Sequence, residues 1–198
     1  MRGRNLRTSA AAILLGLTLA MPAAGHAATA DAALANIRID NFGRVDDHYY
    51  RGGQPEGRDY ADLKALGVKT VIDLTDDDTD PREAGIVRGL GMRFVAIPMS
   101  THETPSPEKV AKFLAVVDDP ASQPVYVHCV GGRHRTGVMT AAYRMTTDSW
   151  TADRAFSEMK QYKFGADFLH SEFKDFVYGF HPAPAAAAAA KAANPSMR

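Results

Sequence analysis

The chain has 198 residues, 45% of them apolar and 23% charged, with 23 basic and 23 acidic side chains. That length suits one domain with a full core and is short for two, and the composition excludes both a chain disordered throughout and a multi-span membrane protein. Balanced charge leaves no broad basic surface of the kind non-specific nucleic-acid binding requires, so DNA and RNA are not expected partners.

The N-terminus carries Arg2, Arg4 and Arg7, then an apolar run from Ala10 to Met21, then small residues with cleavage points after Ala27 or Ala30. That order predicts a secretory signal peptide over residues 1–30, with an uncleaved anchor as the alternative. The apolar run is shorter than the roughly 20 residues of a membrane-spanning helix. The expectation is an exported protein, periplasmic or secreted, with no stable membrane insertion after cleavage. Without the three arginines the chain holds 20 basic against 23 acidic residues, a slightly acidic balance. Cys129 is the only cysteine, so no intramolecular disulfide can form even in an oxidising compartment. The same count leaves no cysteine near the cleavage points for lipid attachment.

Residues 31–181 read as one α/β domain, because short apolar runs alternate there with helical patterns. Weak strands around residues 42–45 and 48–51 open it, followed by a helix marked by Tyr60, Leu63 and Leu66. Val71-Ile72-Asp73-Leu74 is a strand, with the acidic run Asp76-Asp77-Asp78 just beyond it, and Val87 and Leu90 mark a second helix. After the strand Phe94-Val95-Ala96-Ile97, Ser106-Pro107-Glu108 supplies a cap, a first-turn proline and an acid at the positive end of a helix. That helix carries Val110, Phe113, Leu114 and Val117 at i, i+3, i+4 and i+7. The strand Val125-Tyr126-Val127-His128 runs straight into Cys129, and a helix begins near Thr136 with Val138, Ala141, Ala142 and Met145 on its apolar face. Trp150 is expected as a core anchor beside the late helices, the last of which carries Leu169, Phe173, Phe176, Val177 and Phe180. Residues 182–198, Pro-Ala-Pro and an alanine run, read as a flexible tail.

Chemistry concentrates in His128-Cys129-Val130-Gly131-Gly132-Arg133-His134-Arg135-Thr136-Gly137. A strand, a glycine-rich turn and a helix start point successive backbone N–H groups inward at the positive end of a helix, which makes an anion site. The same field favours a thiolate, the nucleophilic form of cysteine. Val130, Gly131, Gly132, Arg133, His134 and Arg135 would ring the anion. Arg135, six residues after Cys129, is placed to return and grip two oxygens in a bidentate mode that lysine cannot copy. Thr136 can donate to the departing thiolate, and His128 is expected to orient the loop through hydrogen bonds. A lone cysteine at a strand end is by itself more often a small buried apolar residue; the joint pattern overrides that. The seven histidines show no paired metal-ligand spacing, and no metal or other cofactor is expected.

The loop resembles the signature of the cysteine-dependent protein tyrosine and dual-specificity phosphatases, His-Cys followed by five residues and Arg-Ser/Thr. Tyr50-Arg51-Gly52-Gly53-Gln54-Pro55, with Leu63 to Leu74 after it, is similar to the opening of the compact atypical dual-specificity group. Arg133-His134-Arg135-Thr136 is similar to the loop of a branch acting on inositol pyrophosphates. The resemblance implies a mostly parallel twisted sheet flanked by helices, as in phosphotyrosine phosphatases, no metal, and hydrolysis through a phosphocysteine.

The family's general acid, an aspartate on the loop before the helix that precedes the cysteine strand, has no counterpart: residues 97–108 contain none. Glu103 is the first substitute as acid, His102 the second, with Glu108 and the Asp76-Asp77-Asp78 run as more distant options. The turn at residues 51–55 reads as a strand end and helix entry rather than a phosphate contact. The expected substrate is a phosphorylated protein, with an inositol phosphate as the alternative. A module that grips phosphate without turning it over, or a sulfur or arsenate enzyme, are further alternatives. Sequence alone gives no oligomeric state.

Overall fold

The computed structural model describes residues 34–77 and 79–182. The predicted signal segment, Asp78 and all but the first residue of the predicted tail lie outside the described residues. Strands β1 (Gly43–Arg44), β2 (Tyr49–Gly52), β3 (Thr70–Thr75), β4 (Arg93–Met99) and β5 (Val125–His128) form one sheet in the order β1-β2-β5-β3-β4. Only β1 runs antiparallel to its neighbour; β2, β5, β3 and β4 pair in parallel. Helices α1 (Asp59–Ala65), α2 (Glu83–Gly89), α3 (Pro107–Val117), α4 (Arg135–Thr147), α5 (Ala152–Gln161) and α6 (Ser171–Gly179) flank it, with a 3-10 turn at Asp167–His170. The predicted α/β class and mostly parallel sheet are thus present.

Helices cover both faces, which is why the central strands are buried throughout rather than alternately. Side chains still alternate between two cores. Val125 and Val127 of β5, with Ile72 and Leu74 of β3, join Tyr49, Phe113, Val138, Ala141, Met159 and Phe173 under α3 to α6. Tyr126 of β5 and Val71 of β3 face the other way, onto Tyr60, Leu63 and Val87 of α1 and α2. α3 begins as its sequence predicts: the Ser106 hydroxyl accepts from the Lys109 N–H at 3.3 Å, and Pro107 occupies the first turn.

Three expectations for the late part of the chain change. Trp150 is not a core anchor. It is half-buried, sandwiched between the guanidinium groups of Arg144 at 4.3 Å and Arg154 at 3.7 Å from its ring centre, because its position in the loop before α5 leaves a face open to those cations. Leu169 is exposed on the 3-10 turn, and the last helix starts only at Ser171. Helix α5 has no counterpart among the sequence-predicted elements, although Thr151 caps it and Ala155, Phe156 and Met159 form its buried stripe.

Among the described residues no helix is long and apolar enough to cross a membrane. Phe113 is fully buried, edge-on to Tyr49 with ring centres 6.2 Å apart. Phe113→Ala is therefore expected to cost about 3–5 kcal/mol, measured as a shift of the urea unfolding curve without a change in its slope.

Candidate active site

Register places Gly52, His128 and Asp73 side by side at the carboxyl ends of β2, β5 and β3. Cys129 is the next residue, so it enters the crevice outside the strand ends where open parallel sheets bind ligands. A depression of about 330 Å³ opens there, lined by Thr101, Cys129, Val130, Gly131, Arg133, His134 and Arg135. Cys129 is 3% exposed, at the floor of that space.

The loop owes its shape to the segment behind it. Val130 O accepts from the Gln54 N–H at 3.0 Å, and Gly132 O accepts from Arg51 Nη2 at 2.7 Å and from Asn41 Nδ2 at 2.9 Å. A trans peptide points its N–H opposite its carbonyl, so these bonds turn the Gly131 and Arg133 N–H groups away from residues 41–54 and toward the depression. Gly132 has φ +62°, and a Cβ there would lie 2.3 Å from Gly52 C and 2.6 Å from Gly53 N. Only glycine supplies both the backbone conformation and the close approach. α4 begins at Arg135 directly beyond the turn, adding its N-terminal dipole.

Arg135 is 4% exposed. Its Nη1 donates to Asp77 Oδ1 and, at 3.2 Å, to Met99 O, while its Nε is buried with no partner among the described residues. A buried donor left unpaired costs stability, and this one belongs to a residue lining the depression, as an oxyanion site needs. The Thr136 Oγ1 is likewise buried and unpartnered. Asp77 holds its carboxyl below the usual carboxylate range because Arg135 donates to it.

His128 departs from expectation. Its ring is fully buried and stacked on Tyr126, with Nε2 3.0 Å from Glu83 Oε1 and Nδ1 3.9 Å from Asp73 Oδ1. None of these approaches is a well-aligned hydrogen bond. The ring therefore gives the loop no side-chain hydrogen bond among the described residues, because it faces two carboxylates on the α1–α2 side. Asp73, Glu83 and His128 are close enough to converge on a cation, and the two ring nitrogens approach different carboxylates.

The acid candidates divide. Thr101 lines the depression, whereas His102 and Glu103, next to it, are exposed and absent from the lining. Of the acidic run after β3, Asp77 reaches the site through Arg135. Three histidines that lie far apart in sequence meet at the rim: the rings of His134 and His170 are 3.9 Å apart, and His102 is 6.2 Å from His170. His170 Nδ1 contacts Thr101 O at 3.1 Å, tying the 3-10 turn to the rim. Burial, followed by the neighbouring His170, lowers the His134 pKa below its ordinary 6.5.

Comparison with known proteins bears on this arrangement. A family described as a DSP-PTPase phosphatase fused to NAD+ kinase matches residues 37–175. The chain belongs to this family. The dual specificity protein phosphatase TpbA of Pseudomonas aeruginosa is 30% identical over 179 residues, 88% of this chain and 80% of that protein. A crystal structure of a cysteine-to-serine form of TpbA in complex with pTyr superposes with a TM-score of 0.62 at 25% identity, over 78% of this chain and 91% of that one. The inositol diphosphatase SIW14 of Saccharomyces cerevisiae is 26% identical over 133 residues, 65% of this chain but 47% of that protein. The DSP-PTPase membership makes the chain a cysteine-dependent phosphatase of the protein tyrosine and dual-specificity type.

Sequence reading missed Arg51, Asn41 and Tyr162. Asn41 Nδ2 bridges Gly132 O and Tyr162 O, both at 2.9 Å, and the Tyr162 ring covers Arg51 at 3.9 Å. The only signal was an arginine inside a strand of the central sheet, a position that charge avoids unless something there requires it. Gly132→Ala should cost about 1–3 kcal/mol of stability through backbone strain and overlap. It should also abolish orthovanadate binding, read as loss of protection of Cys129 against alkylation; retained protection would show that the loop tolerates a side chain.

Proposed function

We propose that the chain hydrolyses phosphomonoesters on protein side chains, phosphotyrosine above all, through a phosphocysteine on Cys129. The observation that carries the reading is Arg135, whose Nε has no hydrogen-bond partner among the described residues, lining a depression floored by Cys129. The Cys129 thiolate attacks phosphorus as the ester P–O bond breaks. Arg135 holds two equatorial oxygens through its Nε edge while Asp77 and Met99 O fix the opposite nitrogen. The backbone N–H groups take the developing charge. Water then attacks the thiophosphate, the P–S bond breaks, inorganic phosphate leaves, and Thr136 donates to the departing sulfur. Glu103, with His102 as the second option, protonates the leaving oxygen and then takes the proton of the attacking water; both directly follow Thr101 of the lining.

Charge at the rim favours a protein substrate. Arg133 approaches Asp40 at 3.7 Å, Lys163 pairs with the same carboxylate at 2.7 Å, and Arg135 pairs with Asp77. Asp40 offsets part of the charge that Arg133 and Lys163 share, which tempers the attraction of the rim for a ligand with many phosphates. The second reading, an inositol phosphate, is supported by Arg133 and His134 in the lining and by the similarity to the inositol diphosphatase. The arginine-led N-terminus supports export, to the periplasm or beyond, ahead of a phosphatase domain at residues 31–181 and a tail at 182–198.

Phosphotyrosine peptides should be hydrolysed and inositol hexakisphosphate spared; the reverse preference would establish the second reading. Cys129→Ser should abolish turnover, and Arg135→Lys should lower kcat by roughly 10²–10³; a nearly normal rate in either contradicts the mechanism. On leaving groups of rising pKa, Glu103→Gln should fall progressively behind the parent enzyme, because only poor leaving groups need the proton. A uniform deficit would remove Glu103 as the acid.

A further inference from the structure

Arg51 shapes the loop through Gly132 O, yet that one hydrogen bond does not account for a fully buried cation. It lies in β2 next to Gly52, in register with Val127 of the cysteine strand, and is 0% exposed. Among the described residues its guanidinium makes one hydrogen bond, Nη2 to Gly132 O, and lies over the Tyr162 ring, while Nε and Nη1 are buried without partners. Glu158, the carboxylate whose field reaches it, is committed to Arg144 at 2.9 Å. Burial pulls the Arg51 pKa down from its ordinary value. A desolvated cation of this kind, without a bound carboxylate, persists only where another anion offsets its cost. Cys129 directly follows β5, the strand paired with β2, and is the group of this region that becomes an anion in the proposed chemistry.

We propose that Arg51 is a positioning residue of the phosphate loop. From behind the loop it turns the Gly132 carbonyl outward, which aims the Arg133 N–H at the anion, and it supplies buried positive charge to the thiolate and the bound phosphoryl group. Asn41 completes the device by holding the same carbonyl and the backbone of Tyr162, which keeps the aromatic ring closed over the guanidinium. Two arginines thus serve one anion. Arg135 touches it from the depression, and Arg51 acts through the loop and through its field. The inference rests on the cysteine mechanism proposed above.

The test uses the full chain with Arg51→Gln, which keeps a donor near Gly132 without charge, and Arg51→Lys, which keeps charge without the planar fork. Three quantities are read: the rate of Cys129 alkylation by iodoacetamide at neutral pH, inhibition by orthovanadate, and the urea midpoint. Arg51→Gln should slow alkylation and weaken vanadate each by about tenfold or more. Arg51→Lys should recover most of the alkylation rate yet still bind vanadate several-fold more weakly. A folded Arg51→Gln with parental alkylation and vanadate inhibition, and only a lower urea midpoint, would reduce Arg51 to a packing residue and overturn the proposal. If Arg51→Gln does not fold, Arg51→Lys decides: alkylation slowed tenfold despite its retained charge overturns it. Cys129→Ser run alongside should show neither alkylation nor turnover of p-nitrophenyl phosphate. Turnover there would sink the cysteine mechanism itself, whatever the Arg51 variants do.

Discussion

Gly132 lies so close to Gly52 and Gly53 that a single methyl group would overlap their backbone, and its carbonyl is held there by Arg51 and Asn41. Docking the cysteine loop against the end of β2 is what converts a flexible, glycine-rich turn into a fixed ring of donors. Both partners come from neighbouring parallel strands, since Gly52 is in register with His128. The sheet therefore aligns the two glycine segments before any side chain contributes. A loop that carried its own carbonyls inward would present negative dipoles to phosphate and could not hold it.

Charge is arranged around that ring in layers. Arg135 and the N-terminus of α4 face the depression, Arg51 sits behind the loop, and Asp77 and Asp40 moderate the cations at the rim. Asp77 ties up only one nitrogen of Arg135, so the guanidinium is oriented rather than consumed. On the opposite face of the sheet the buried Asp73, His128 and Glu83 form a separate polar cluster directly beneath the strand that delivers Cys129. It joins the ends of β3 and β5 to α2 on that face, since one ring reaches a side chain from each.

The cysteine loop was legible because its chemistry is local: strand, nucleophile, glycines and arginine lie within ten residues, and the β2 to α4 framework follows apolar periods that single segments display. Ser106 as a cap could be read for the same reason. Arg51 and Asn41 could not, since their roles depend on Gly132, 81 and 91 residues away. The turn at residues 51–55 read as a strand end, and it is one, but its arginine points inward at the loop. Trp150 misled because aromatic size suggests core, whereas two arginines supply its contacts from the surface. The rim histidines show no spacing that would announce them; only the approach of the 167–170 turn to Thr101 gathers them. His128 reads as the end of its strand, whereas nothing local announces Glu83, which reaches the ring from a helix on the far face.

A covalent intermediate is the step on which the chemistry stands or falls. Mixing the protein with a phosphotyrosine peptide, quenching in acid within milliseconds to seconds, and mapping the peptides by mass spectrometry should show one phosphoryl group on Cys129. Phosphate found on another residue, or turnover at full rate with no phosphorylated Cys129 peptide at any quench time, would contradict it.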